Sequence, residues 1–514
     1  MILAANLGRL LTWTARRLPA APALRWRDRV WSWAELDARV DRLAAALRAH
    51  GVAPGDRVLV HSRNSNLMFE AVWACWKAGA VFVPTNVRLT PAEAAYLGAA
   101  SGAVAMLRDH GFAAHADAVR DASPACRLVL ALGDARAGEV DVEALIADTP
   151  RPPADHEADV APDHPAWFFF TSGTTGRPKA AVLTHGQLGF VVNNHLADLM
   201  PGLTEHDVSL VVAPLSHGAG IHALAQVARG ACSILLPGER MEPGEAWRLI
   251  AEHRVTNMFT VPTILNMLAA HPDAAPHALR HVIYAGAPMY RADQKRALER
   301  LGPCLVQYFG LGEVTGNITV LRPDQHSLND ADPRAGSCGV PRTGMDLAIL
   351  DPAGQRLPPG ETGEICVRGP AVFAGYHDNP EANAAAFRDG WFHTGDLGHL
   401  DAQGFLFITG RASDMFISGG SNIYPREVEE ALLTHPDVLE CAVVGVPDAK
   451  WGEVGVACVV PRGTAPDPAA LLAHLAPVLA RYKHPHRFVF WDELPKSAYG
   501  KVPRSLLRAR LEAG

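Results

Sequence analysis

Apolar residues recur at helical and strand intervals in alternation along the first four-fifths of the chain. Leu36, Val40, Leu43 and Leu47 step by 4, 3 and 4, which puts them on one face of a helix ended by Gly51. Residues 57–60 read as the next strand, 69–78 as a helix stopped by Gly79, and 80–83 as another strand. Thr90-Pro91-Ala92-Glu93 carries a capping-box pattern with proline at the first helical position. Trp167-Phe168-Phe169-Phe170 reads as a buried strand, and further strands are expected at 208–213, 257–261, 281–285 and 304–308. Strands alternating with helices predict an α/β architecture with mostly parallel sheets and ligands at strand ends.

The texture changes after about residue 340, where glycine-punctuated strands such as 363–369 suggest a small β subdomain. Residues 151–163 are proline-rich and acidic, a connecting loop, and 410–420 read as a linker. Beyond it a helix is expected at 425–433, strands at 438–446 and 454–460, and a helix near 468–480. That tail is long enough to fold alone. At the other end, Leu7, Leu10, Leu11 and Leu18 suit a packed opening helix rather than a transit peptide, because serine richness is lacking.

Composition narrows the function. A chain of 514 residues implies two or three domains. A net charge of −7 supplies no global basic field, so no nucleic-acid partner is expected. The 8 cysteines are scattered without a CxxC pair or a metal-spaced histidine cluster, which predicts reduced thiols and a cytoplasmic setting. No apolar run reaches the roughly 18 residues of a membrane span.

The strongest chemical signal is Thr171-Ser172-Gly173-Thr174-Thr175-Gly176-Arg177-Pro178-Lys179, directly after the apolar strand. Glycines let the backbone approach closely, amides and hydroxyls donate, and lysine adds charge, so the segment suits a triphosphate. It is not a Walker loop, because Pro178 precedes Lys179 and Ala180 follows it.

Further segments, in order from Trp33-Ala34-Glu35-Leu36 to Lys501, resemble the acyl-adenylate-forming superfamily of acyl-CoA synthetases, peptide-synthetase adenylation domains and beetle luciferases. The resemblance covers nearly the whole chain. It implies an α/β fold: a large N-terminal lobe of parallel-rich sheets with helices plus the β subdomain (1–412), and a mobile α+β C-terminal domain (413–514). By resemblance, Thr171 to Gly176 and Lys179 hold the β- and γ-phosphates. His217, in Ala213-Pro214-Leu215-Ser216-His217, lines the acyl site, unless it is only a structural histidine. Gly286, Ala287 and Pro288 form the turn against which adenine stacks. Gln307, Phe309 and Gly310 lead to Glu313, the expected magnesium ligand, an oxygen donor suited to a hard cation. Gly312 stands where the family has threonine. This loses a donor to the α-phosphate, which Thr315 could replace, or else opens room for a bulkier substrate. Asp396 accepts from the ribose hydroxyls, Arg411 touches the nucleotide, and Asp414 is the hinge. Ser418, Gly419 and Gly420 line a pantetheine tunnel, and Lys501 is the catalytic cation of the first step.

The implied activity is ATP-dependent acid–thiol ligation through acyl-AMP, with ATP, Mg²⁺ and coenzyme A as cofactors, a small carboxylic acid as substrate, and a homodimer carried as an expectation. A carrier-protein thiol is the competing acceptor, and a nucleotide-binding regulator without catalysis the competing class. The presumed pocket segments around Val261-Pro262, Gly286, Gly310 and Val314 are small or apolar and contain no arginine suited to a second carboxylate. An aromatic or medium-chain aliphatic acid is therefore expected.

Overall fold

The structure is a computed structural model that describes residues 6–172, 177–238, 240–274, 277–419, 421–496 and 502–513. The opening helix Arg9–Arg17 buries Leu11 and leaves Leu10 and Leu18 partly covered. Helix Trp33–Ala49 buries Leu36, Val40, Leu43 and Leu47, the predicted stripe. Its start is fixed by Ser32 and Glu35, which cap each other's backbone amides. Thr90 and Glu93 do the same for helix Pro91–Ser101, satisfying donors that the first turn cannot pair internally.

Two sheets build the large lobe. One has the order Val140–Asp141, Leu128–Ala131, Ala103–Arg108, Arg57–His61, Val81–Pro84, Pro165–Ser172, Pro178–Thr184, parallel except for the last antiparallel pair. The other has nine strands, and its parallel centre runs Cys232–Leu235, Val208–Val211, Asn257–Thr260, His281–Tyr284, Leu305–Phe309. The predicted strands thus lie side by side, and a large apolar core including Trp33, Trp73, Trp76 and Trp167 fills the space between elements of both sheets.

The glycine-rich stretch forms an antiparallel sheet built on Gly363–Arg368 and Trp391–Leu400. The expected linker at 410–420 holds two strand ends around a turn: Leu406–Arg411 completes that sheet, and Phe416–Ser418 starts the C-terminal one. Only the turn between them is irregular, because backbone pairing on both sides satisfies the remaining amides. The C-terminal part packs helices Pro425–Leu432 and Pro468–Leu475 on the long hairpin Val438–Asp448 and Gly452–Pro461. The helix expected to reach residue 480 stops at Leu475, as Pro477 cannot donate to a helical bond and restricts its predecessor. Strand Arg487–Phe490 and helix Arg504–Ala513 fall outside the expected elements.

Polar groups pair where the two parts touch. The Tyr290 hydroxyl donates to Glu429 at 3.2 Å and the Arg291 amide to Glu430 at 3.3 Å. Arg504 pairs with Glu429 at 2.5 Å and with Asp414 in the turn at 3.9 Å. All eight cysteines are free and buried. No helix among the described residues is long and apolar enough to cross a membrane.

Inside the large lobe Lys77 is fully buried and its ammonium lies 2.5 Å from Asp37 and 2.6 Å from Asp41. Arg151 closes the cluster, 2.8 Å from each acid. Removing one partner of such a cluster strands charge in a low dielectric. Lys77→Ala should therefore lower unfolding free energy by about 3–5 kcal/mol in urea titration; a loss below about 1 kcal/mol would show the acids to be solvated.

Candidate active site

Strand Pro165–Ser172 turns back on Pro178–Thr184 with Thr171 opposite Lys179. The sheet thus delivers a hydroxyl and a cation to the same edge. Gly173, Thr174, Thr175 and Gly176, the Ser172 side chain, Gly420 and Lys501 lie outside the described residues.

Glu313 follows strand Leu305–Phe309 in a short 3-10 turn, Gly312–Val314, and is buried. Its Oε1 accepts from Thr171 Oγ1 at 2.8 Å and from the Tyr376 hydroxyl at 2.9 Å. The Lys179 ammonium sits over the Tyr376 ring, 5.3 Å from its centre. Tyr376 is held there because residues 374–377 pair with the Lys179 strand, through amide bonds of 2.9–3.0 Å at Ala374, Val182 and His377. Burial, then the Glu313 charge, pushes the Tyr376 phenol far up, so it stays a donor. Tyr376 was not among the expected site residues. Its only sequence signal is a tyrosine after Gly375, with no motif spacing to mark it.

Gly312 has a steric reason. A Cβ there would lie 2.6 Å from Phe169 and 2.9 Å from Thr171. The missing side chain therefore admits the neighbouring strand and opens no room for substrate, contrary to that expectation. Thr315 does not replace the lost donor either. It is buried at φ 49°, and its hydroxyl donates to the Val314 carbonyl at 2.7 Å. Gly310 is required by close approach, since a Cβ would come within 2.4 Å of Gly316.

His217 sits just before helix Gly218–Arg229. Its Nδ1 lies 2.8 Å from Ser216 Oγ, and its ring meets Phe169 edge-on at 5.3 Å. Phe169 thus touches both His217 and the Glu313 turn. Gly286, Ala287 and Pro288 are exposed after strand His281–Tyr284, with Gly286 at φ 84°. Phe309 is partly buried at the end of its strand. The Gln307 side chain is buried, accepting from Tyr284 at 3.0 Å and donating to Cys338 at 3.6 Å. Its side-chain amide thus bridges Tyr284 and Cys338.

Asp396 and Arg411 are opposite one another on paired strands, and Arg411 Nε donates to Asp396 at 2.9 Å. Asp396 is buried, whereas half the Arg411 side chain is exposed. The Asp396 charge holds Arg411 above its ordinary value, and Glu313 adds to the rise. The two acid positions therefore share one electrostatic field. Ser418 is buried, and Gly419, at φ 57°, lies against Trp451 and donates to its carbonyl at 2.9 Å.

The arrangement offers donors and a cation beside one acid, and a second acid with an arginine beside it, a layout suited to a nucleotide's phosphates and sugar. Known proteins resemble the chain over nearly its full length. The chain is 41% identical to a feruloyl-CoA synthase of an Amycolatopsis species, over 96% of this chain and 97% of that one. It is 37% identical to an indoleacetate–CoA ligase of Aromatoleum aromaticum, over 95% of each. The o-succinylbenzoate CoA synthetase of Bacillus subtilis, solved with its acyl-adenylate intermediate, superimposes with a TM-score of 0.84 at 33% identity and 97% coverage of both chains. Residues 11–377 match the AMP-binding enzyme family and residues 427–501 its C-terminal domain, so the chain belongs to the AMP-binding, acyl-adenylate-forming enzymes.

Proposed function

We propose that this chain activates a carboxylic acid with ATP as acyl-AMP, releasing pyrophosphate, and then transfers the acyl group to coenzyme A. The observation that carries the reading is the Glu313 carboxylate, buried between Thr171 and Tyr376 with Lys179 alongside. A carboxylate is a poor acyl donor, and joining it to the α-phosphorus makes the carbonyl reactive. Charge then grows on the phosphate oxygens, and preorganised donors and cations stabilise it. Lys179 and the Thr171 edge serve the phosphates. Asp396 accepts from the ribose hydroxyls, and Arg411 fixes its orientation. His217, oriented by Ser216 and Phe169, borders the acyl carboxylate.

Both hydrogen bonds of Glu313 fall on Oε1, so Oε2 keeps its lone pairs among the described residues. That oxygen suits a hard cation, and Glu313 would hold a magnesium ion whose charge offsets that of the triphosphate. We put the lobe boundary at 412/413; the reading is supported by the turn there, which Arg504 ties through Asp414. Rotation there would bring Lys501 to the nucleotide for the first step and Ser418-Gly419-Gly420 to the thiol for the second. Reduced, buried thiols support a cytoplasmic setting.

Pyrophosphate release on adding ATP and a panel of organic acids tests the activity, and a preparation inert to every acid refutes it. Lys501→Ala should slow adenylate formation by about 100-fold or more yet leave thioester formation from supplied acyl-AMP within a few-fold. Equal losses in the two assays would contradict the division of labour. Tyr376→Phe keeps the ring beneath Lys179 but deletes the donor to Glu313. At saturating ATP its kcat should fall about tenfold, the worth of a hydrogen bond to a charged group; an unchanged kcat would remove Tyr376 from the site.

A further inference from the structure

Arg342 is an arginine that the expected pocket segments do not contain. Its side chain is completely buried, 0% exposed. Its amide donates to the Ile318 carbonyl at 3.0 Å, just beyond the Glu313 turn. The guanidinium carbon lies 6.0 Å from the centre of the Tyr308 ring.

Among the described residues, Nε and Nη1 of Arg342 have no hydrogen-bond partner. Nη2 lies 3.3 Å from His195 Nδ1, which also lies 3.0 Å from the Val191 carbonyl. One ring nitrogen cannot donate to Val191 and accept from Arg342 together. Asp198 stands 3.7 Å from Nε but already accepts from the Thr343 amide, the Thr343 hydroxyl and Asn194. Burial draws the guanidinium down to about 10, so it remains a cation at neutral pH. His195 and Asp198 both reach it from a π-helical turn, His195–Leu199, at the end of helix His185–Asn194. Such turns are frequent at functional sites, and a buried donor left unmatched calls for a partner.

The position adjoins the acyl side of the site. Tyr308 is two residues before Gly310, and a Cβ on Gly316 would lie 2.3 Å from its ring. The Tyr308 ring stacks on Phe259 at 6.0 Å. Phe259 in turn fills the space beside Gly218, where a Cβ would be 2.4 Å from its ring. Gly218 follows His217. Two aromatic rings therefore connect the carboxylate end of the site to Arg342. The Tyr308 hydroxyl makes no hydrogen bond among the described residues.

We propose that Arg342 is the distal specificity residue of the acyl site and selects aromatic acids carrying a hydrogen-bond-accepting oxygen opposite the reacting carboxylate. This rests on the acid-activating reading above and adds the substrate class. Shifts of the Tyr308 and Phe259 rings open the path, and the oxygen takes the unmatched guanidinium N–H groups. A pocket built to hydrogen-bond a substrate oxygen rejects the isostere that lacks it, because its own donors are then stranded.

The test compares matched acids in two lengths: 4-hydroxybenzoate against 4-methylbenzoate, and 4-hydroxycinnamate against 4-methylcinnamate. Pyrophosphate release should favour the hydroxyl member of the better-used pair by about tenfold or more in kcat/KM. Arg342→Met should collapse that ratio towards one. The intact protein gives a second measurement, since the hydroxyl acid should raise Tm more than its methyl partner at equal concentration. Equal use and equal Tm shifts within both pairs, as expected if water alone matches Arg342, overturn the proposal. So does an Arg342→Met variant that keeps the preference. Release with some acids but no hydroxyl preference refutes the specificity role alone, whereas no release with any acid refutes the activity and this proposal with it.

Discussion

One oxygen atom organises the site: Oε1 of Glu313, buried and bound by two hydroxyls. A carboxylate removed from water costs several kcal/mol unless donors meet it. Here the donors come from separate segments. Thr171 arrives on the next-to-last strand of the seven-stranded sheet, Glu313 follows a strand of the nine-stranded sheet, and Tyr376 lies on a segment docked against the first. Satisfying one acid therefore fixes the relation of three pieces of backbone. Gly312 belongs to the same constraint, since a side chain there would push Phe169 and Thr171 away.

Much of this was legible in the chain. Helical stripes such as Leu36 to Leu47 and the capping box at Thr90 depend on neighbours a few residues apart. Element type and order follow from such local rules. Thr171, Lys179, Glu313, Asp396 and Arg411 stand in motifs, and the structure brings Thr171 to Glu313 and Asp396 to Arg411. What escaped depends on distant partners. Tyr376 matters through residues 63 and more positions away, and no spacing rule reaches that far. Gly312 looked like a lost hydroxyl because the crowding by Phe169 is visible only in three dimensions. Arg342 lies outside the segments that define the pocket in sequence, yet the fold sets it beneath Tyr308. The 410–420 stretch read as a linker because glycines mask strand ends whose pairing is long-range.

Polar contacts within the large lobe differ from those between the lobes. Lys77 with its two acids, and Arg108 with Asp134 and Glu139, lock the large lobe from within. Between the lobes the bonds of Tyr290 and Arg291 to Glu429 and Glu430 are polar. Such contacts exchange for water at modest cost. The exposed turn at Gly286-Ala287-Pro288 runs straight into Tyr290 and Arg291.

The burial of every cysteine has a consequence for redox chemistry. Mixed disulfides form when an exposed thiolate attacks. In this chain burial pushes each of the eight thiols upward, and none reaches the surface. A catalyst that takes a free thiol as its second substrate is thereby spared covalent capture by the oxidised dimer of that substrate.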